Sequence, residues 1–123
     1  MTIAFWCVLL AALLPYASFG LSRRYLDPEV PRQGVAHLEG LAARAHGAHL
    51  NAFEAFPPFA AAVIISHVVE GASATVNVLA ILFIIARCAH MGFYLAERQP
   101  LRSAAFFAGL LLVLAIFVQT AFH

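Results

Sequence analysis

Residues 48–59 read Ala-His-Leu-Asn-Ala-Phe-Glu-Ala-Phe-Pro-Pro-Phe, placing Asn51 and Glu54 at the threshold of a largely apolar run that extends to Glu70. On a helix advancing about 100° per residue, Arg44 and Asn51 differ by about 20°, and Glu54 lies about 60° further round. The three therefore share one stripe. A second stripe follows in residues 87–94, Arg-Cys-Ala-His-Met-Gly-Phe-Tyr, where Arg87 and Tyr94 nearly coincide and His90 lies about 60° away. Ionisable groups at membrane depth are costly unless they are paired, bind a ligand or face a wet interior. Two such stripes mark where function is expected.

The surrounding chain identifies the solvent as lipid. Of 123 residues, 63% are hydrophobic and only 11% charged, more apolar surface than a soluble domain of this length can hide. Four segments approach the roughly 20 residues a membrane helix requires. They run from about Ile3 to Gly20, from within the polar stretch around Val35 to His49 through Ala52 to Glu70, from about Ala72 to Ala96, and from about Leu101 to Phe122. The first lacks a basic leader and a good Ala-x-Ala site, so it reads as a retained helix rather than a secretion signal. Pro15 is expected to bend it, and Pro57-Pro58 to kink the second helix. Residues 21–34 form the one substantial loop. Short links near Glu70-Gly71 and Arg98-Gln99-Pro100 make the later helices antiparallel neighbours. The expected fold is all-α, an integral-membrane four-helix bundle forming a single domain over residues 1–123.

The net charge is +1 and every fixed positive charge is arginine. No clustered basic face suggests a nucleic-acid partner. Arg23, Arg24 and Arg32 fall in the first loop, and Arg98 and Arg102 flank the third. The positive-inside rule places both loops in the cytosol and both termini on the opposite side. Cys7 and Cys88 lie in apolar stretches and read as small buried hydrophobes. His37, His46 and His49 are expected to be solvated or interfacial, and no His, Cys or carboxylate set has convincing metal spacing.

Both stripes lie in the half of the bundle near the third loop, where Arg102 and Ser103 open the fourth helix. Arginines grip carboxylates bidentately, and Glu54 suits an ammonium group. Asn51, His90 and Tyr94 add neutral hydrogen-bonding groups, and apolar walls suit a lipophilic substrate arriving through the bilayer. The alternative is that Glu54 pairs with Arg44 or Arg87 and merely holds the helices in register.

The stretch 48–59 resembles the second-helix signature of the MAPEG family, the membrane-associated proteins in eicosanoid and glutathione metabolism. Residues 87–94, followed by Pro100-Leu101-Arg102-Ser103, are similar to that family's third helix and fourth-helix entrance. The likeness runs from about residue 40 to the end. It implies a homotrimer embedded in the bilayer, with glutathione as co-substrate bound on the cytosolic side between subunits. Asn51 and Glu54 would then hold the tripeptide's polar backbone, with Glu54 toward its γ-glutamyl amine. Arg87, His90, Tyr94, Ser103 and Arg44 would line the same site. Arg102 matches the arginine assigned to stabilising the glutathione thiolate and is the catalytic candidate. Departures are visible too. Leu50 and Gly47 stand where eicosanoid-type members carry arginines, and Phe106 stands where an aromatic hydroxyl is expected. The implied activity is glutathione transfer to, or peroxide reduction of, lipophilic electrophiles; the alternative is a non-catalytic lipid-binding or scaffold protein of the same fold.

Overall fold

A computed structural model describes residues 1–23, 34 and 38–123. Four helices make up the fold: α1 (Ile3–Arg23), α2 (Gly40–Glu70), α3 (Ala74–Leu95) and α4 (Gln99–Ala121). All four are long and apolar enough to cross a membrane. α1 runs past the expected Gly20 boundary, α2 starts at Gly40, within the polar stretch expected to open it, and α3 starts at Ala74. The helices continue through Pro15 and through Pro57-Pro58. Arg24, Arg32 and His37, and the side chain of Arg23, lie outside the described residues.

Polar contacts at the two ends fix the topology. Ahead of α1, Thr2 Oγ1 accepts from the Phe5 amide at 3.2 Å and donates to His67 Nε2, 2.7 Å away near the end of α2. That histidine donates through Nδ1 to the Val63 carbonyl at 2.8 Å and stacks on Phe5. The Ala4 amide, an orphan donor of the first turn, is satisfied by Asn77 Oδ1 at 2.9 Å, from the first turn of α3. Ser73 caps α3 by accepting from the Val76 amide. Glu70, whose side chain is nearly buried, accepts from Ser66 Oγ and from Gln119 Nε2 and pairs with His123. The start of α1 thus meets the end of α2 and the start of α3, and the ends of α2 and α4 meet. The chain runs up and down.

Packing is arranged with small residues inside and large apolar ones outside. The main core holds Ala4, Cys7, Ala11, Ala62 and Ala80 around Val63, Val76, Val113, Ile116 and a stacked pair, Phe59 on Phe83, with centroids 3.9 Å apart. Large side chains such as Leu10, Ile64, Val68, Ile85 and Leu111 face outward. Lipid tails are as apolar as leucine, so close backbone approach, rather than expulsion of grease from water, holds such helices together. Cys7 is buried as expected. Cys88 is exposed, because the turn of α3 that turns Arg87 and His90 inward puts the intervening positions outside.

The α3–α4 turn ends α3 in a Schellman arrangement. The Arg98 amide donates to the Phe93 carbonyl at 2.9 Å and the Glu97 amide to the Tyr94 carbonyl at 3.3 Å. Glu97 takes the left-handed position, φ 58°, which glycine would occupy without strain. Its carboxylate reaches Arg44 at 3.1 Å and ties this turn to the start of α2. Glu97 is largely exposed, so the ion pair contributes under about 1 kcal/mol, against a left-handed cost of about 1 kcal/mol or more. Glu97→Gly is therefore expected to leave the melting temperature in detergent unchanged or raised. Glu97→Ala, which loses the pair and keeps the strain, should lower it; a fall as large in Glu97→Gly as in Glu97→Ala would show that the ion pair, not the strain, dominates this turn.

Candidate functional site

One turn end of the bundle gathers the polar side chains of three helices. Arg87 is 3% exposed and lies eight residues, about two turns, from the end of α3. Its Nη2 donates to Asn51 Oδ1 on α2 at 2.5 Å. Its Nε is buried with no partner among the described residues. His90, one turn later and equally buried, also has an unpartnered atom, Nδ1. Its ring sits between Tyr94, 5.8 Å away, and Phe106, 6.3 Å away. Buried polar groups are almost always satisfied. The two side chains share one helix face and each lines a cleft, which suits a polar ligand.

Glu54 is exposed and makes neither a hydrogen bond nor an ion pair among the described residues. The expected alternative, a Glu54–Arg87 or Glu54–Arg44 pair, is not what the helices form: Arg87 takes the Asn51 carboxamide, and Arg44 turns to the other end. Arg44 Nε donates to the Leu95 carbonyl at 3.0 Å, capping α3, while its Nη1 pairs with Glu97. The stripe of Arg44, Asn51 and Glu54 is therefore real as a register but divided in its partners.

Three adjoining clefts run along this stripe. The first, about 240 Å³, is walled by Ala55, Pro58, Phe83, Phe106, Gly109, Leu110 and Val113, with Asn51, Glu54 and Arg87 at its polar end. The second, about 360 Å³, shares Asn51 and Phe106 with it and adds His90, Tyr94, Arg102, Ser103 and Phe107. The third, about 600 Å³ and open, is lined by Ala43, Arg44, Tyr94, Glu97, Gln99 and Arg102. Arg102 and Tyr94 thus stand at the junction of the two polar clefts, and Asn51 at the junction of polar and apolar ones. The Arg102 guanidinium carbon lies 4.6 Å from the centre of the Tyr94 ring, a cation–π distance.

Every residue expected from the sequence lines one of these clefts. Sequence reasoning expected apolar walls but did not name the residues that form them, Pro58 and Gly109 among them; the signal for Gly109 was that it follows Arg102 by about two turns. It missed Glu97. His49 corrects the expectation of a solvated side chain. It is 9% exposed, donates from Nδ1 to the Pro15 carbonyl at 2.7 Å, and packs among Tyr16, Phe19 and Phe53. α1 covers this part of α2, so the side chain never reaches water. His46, beside it, is half-buried. Among the described residues no group of His, Cys, Asp and Glu could hold a metal ion.

Arg87 provides a stability test. Hydrogen bonds to charged groups contribute about 1.5–3 kcal/mol, and a buried charge stripped of its partner costs more. Asn51→Ala is expected to cost about 2 kcal/mol in reversible unfolding from detergent, but far less in an Arg87→Leu background. Equal costs in the two backgrounds would show that Asn51 contributes packing alone.

Comparison with curated proteins and with solved structures returned no match. A model of the MAPEG family matches residues 3–122, nearly the whole chain. The match spans all four helices and both polar stripes, and so extends the likeness of residues 40 onward to α1. The chain belongs to the MAPEG family, whose membrane proteins serve eicosanoid and glutathione metabolism.

Proposed function

We propose that the protein is a glutathione-dependent transferase or peroxidase acting on lipophilic electrophiles. The observation that carries this reading is the adjacency of unlike clefts: an arginine-bearing polar pair and an apolar groove meet at Asn51 and Phe106. A tripeptide with two carboxylates, an ammonium group and a thiol needs several cations, one anion and amide partners, and the polar clefts offer these. Glu54 would take the γ-glutamyl ammonium. Arg87 Nε, His90 and Asn51 would meet backbone and carboxylate groups, and Arg44, Tyr94 and Ser103 would complete the lining.

Arg102 carries the chemistry. A free thiol has a pKa of about 8.5, so at neutral pH most glutathione is the poorly nucleophilic thiol. A guanidinium beside the sulfur favours the thiolate and lowers the barrier to attack. In conjugation the thiolate sulfur forms a bond to the electrophilic carbon while the leaving group departs with its electron pair, or a double bond takes up the pair and then a proton. In peroxide reduction the thiolate attacks one oxygen, the O–O bond breaks, and the alcohol leaves after protonation. A second glutathione then converts the sulfenic acid to disulfide and water. The apolar groove beside Gly109 would admit the lipophilic partner from the bilayer.

The same reading places the first and third loops in the cytosol, where the loop arginines lie, with both termini opposite. It also takes the assembly to be a homotrimer with glutathione bound between subunits, as family membership suggests. The competing reading is a lipid-binding scaffold. Phe106 favours it, because it puts an apolar ring at the wall shared by the polar and apolar clefts.

Glutathione is expected to raise the melting temperature of the purified protein and to produce a thiolate absorbance change at neutral pH. Arg102→Ala should abolish the thiolate signal while weakening binding much less. Saturating glutathione that yields neither a stability shift nor a thiolate signal would end the enzymatic reading and leave the scaffold.

A further inference from the structure

The Arg102 side chain makes no hydrogen bond and no ion pair among the described residues. Its guanidinium lies over the face of Tyr94, 4.6 Å from guanidinium carbon to ring centre. Five N–H donors are thereby left free at the junction of the two polar clefts. A flexible arginine at a helix start would ordinarily wander. What holds this one is the orientation of the ring beneath it.

That orientation depends on α2. Tyr94 sits with the small cluster of Ala48, Ala52 and Met91, and its hydroxyl end lies over Gly47. A Cβ built at Gly47 would collide with Tyr94 Oη, and would lie 2.8 Å from Cζ and 3.0 Å from Cε1. The hydroxyl oxygen and two ring carbons fall inside or at the limit of what real side chains tolerate, so any other residue at position 47 must push the ring away. Gly47 is an ordinary helical glycine in its backbone; the demand for it is the space above it. A helix-interior glycine costs about 1 kcal/mol relative to alanine, so the site keeps it against local propensity.

We propose that Gly47 and Tyr94 act as a positioning pair for Arg102. The absent side chain at 47 seats the tyrosine against α2, and the seated ring presents its face to the guanidinium, fixing it between the polar clefts with every donor available to ligand. Neither Gly47 nor the ring's fit against it touches a reacting atom, so both act through Arg102. The consequence for thiol ionisation rests on the glutathione reading; the positioning itself does not.

The test labels the full chain, reconstituted in lipid nanodiscs without glutathione, with the arginine reagent phenylglyoxal, and reads each arginine by mass spectrometry. Arg98, exposed one turn away, serves as the internal reference. Gly47→Ala is expected to speed Arg102 labelling about threefold with Arg98 unchanged, as the ring is displaced. Tyr94→Ala should do the same without adding any atom to α2, which keeps the test decisive if Gly47→Ala folds poorly. Tyr94→Phe keeps the ring face and should leave Arg102 near the wild-type rate. Adding Tyr94→Phe to Gly47→Ala removes the hydroxyl but leaves Cζ at 2.8 Å, so it should restore only part of the protection. Arg102 labelling that responds to neither Gly47→Ala nor Tyr94→Ala overturns the proposal. With glutathione added, the pH midpoint of the thiolate absorbance should rise by about one unit in Gly47→Ala, with binding little changed. A wild-type protein in which labelling depends on Gly47 but glutathione gives no thiolate signal keeps the positioning pair and removes the transferase reading.

Discussion

A guanidinium inside an apolar bundle must be given oxygen atoms or water, and at Arg87 the described residues supply only one, the Asn51 carboxamide. That single short hydrogen bond links α3 to α2 at the depth where the clefts meet. It leaves Arg87 Nε and the neighbouring His90 Nδ1 without partners. Burying charge in this way is expensive, and hydrophobic residues of similar size would serve stability better. The arrangement makes physical sense when the missing partners come from a ligand. Much of the rest of the fold supports it: small residues let α2 and α3 approach closely enough for the contact, and α4 closes the groove beside it.

The two ends of the bundle are finished differently, and the difference bears on function. At the end distant from the site, Thr2 pairs with His67, Asn77 takes the Ala4 amide, and Glu70 takes Ser66, Gln119 and His123, with Gln119 Oε1 the buried atom left over among the described residues. That end is the more nearly closed. At the site end the polar groups are closer to cations in search of anions. Arg44 is neutralised by Glu97, but among the described residues Arg102 is held only through a ring face and Glu54 has no polar partner. Polar groups committed to each other hold a structure in register. Polar groups left open confer recognition.

Much of this was legible in the sequence because lipid imposes strict rules. Four apolar runs separated by short links leave little choice but an up-and-down bundle, and helical periodicity alone put Asn51 and Arg87 on inward faces. The site residues could be identified because a charge in such a run is conspicuous. Partners were harder. Periodicity placed Arg44, Asn51 and Glu54 on one stripe, yet it carries no information on which neighbour each side chain reaches; that depends on helix crossings and on rotamers. His49 was misjudged because the way α1 lies over α2 cannot be read from α2. Cys88 was misjudged because an apolar run has an outer face as well as an inner one, and in a membrane both are greasy. Gly109 passed unnoticed and Gly47 was noted only as a missing arginine, since a glycine in a helix signals its role only once its neighbour across the interface is known.

A structure determined in nanodiscs at saturating glutathione bears most directly on whether these clefts form a thiol site. Density for the tripeptide against Asn51, Arg87 and Tyr94, with its sulfur beside the Arg102 guanidinium, is the expected result. Polar clefts that stay free of tripeptide, with Arg87 Nε and His90 Nδ1 satisfied by water or by a lipid headgroup, would show that the site recognises something other than glutathione.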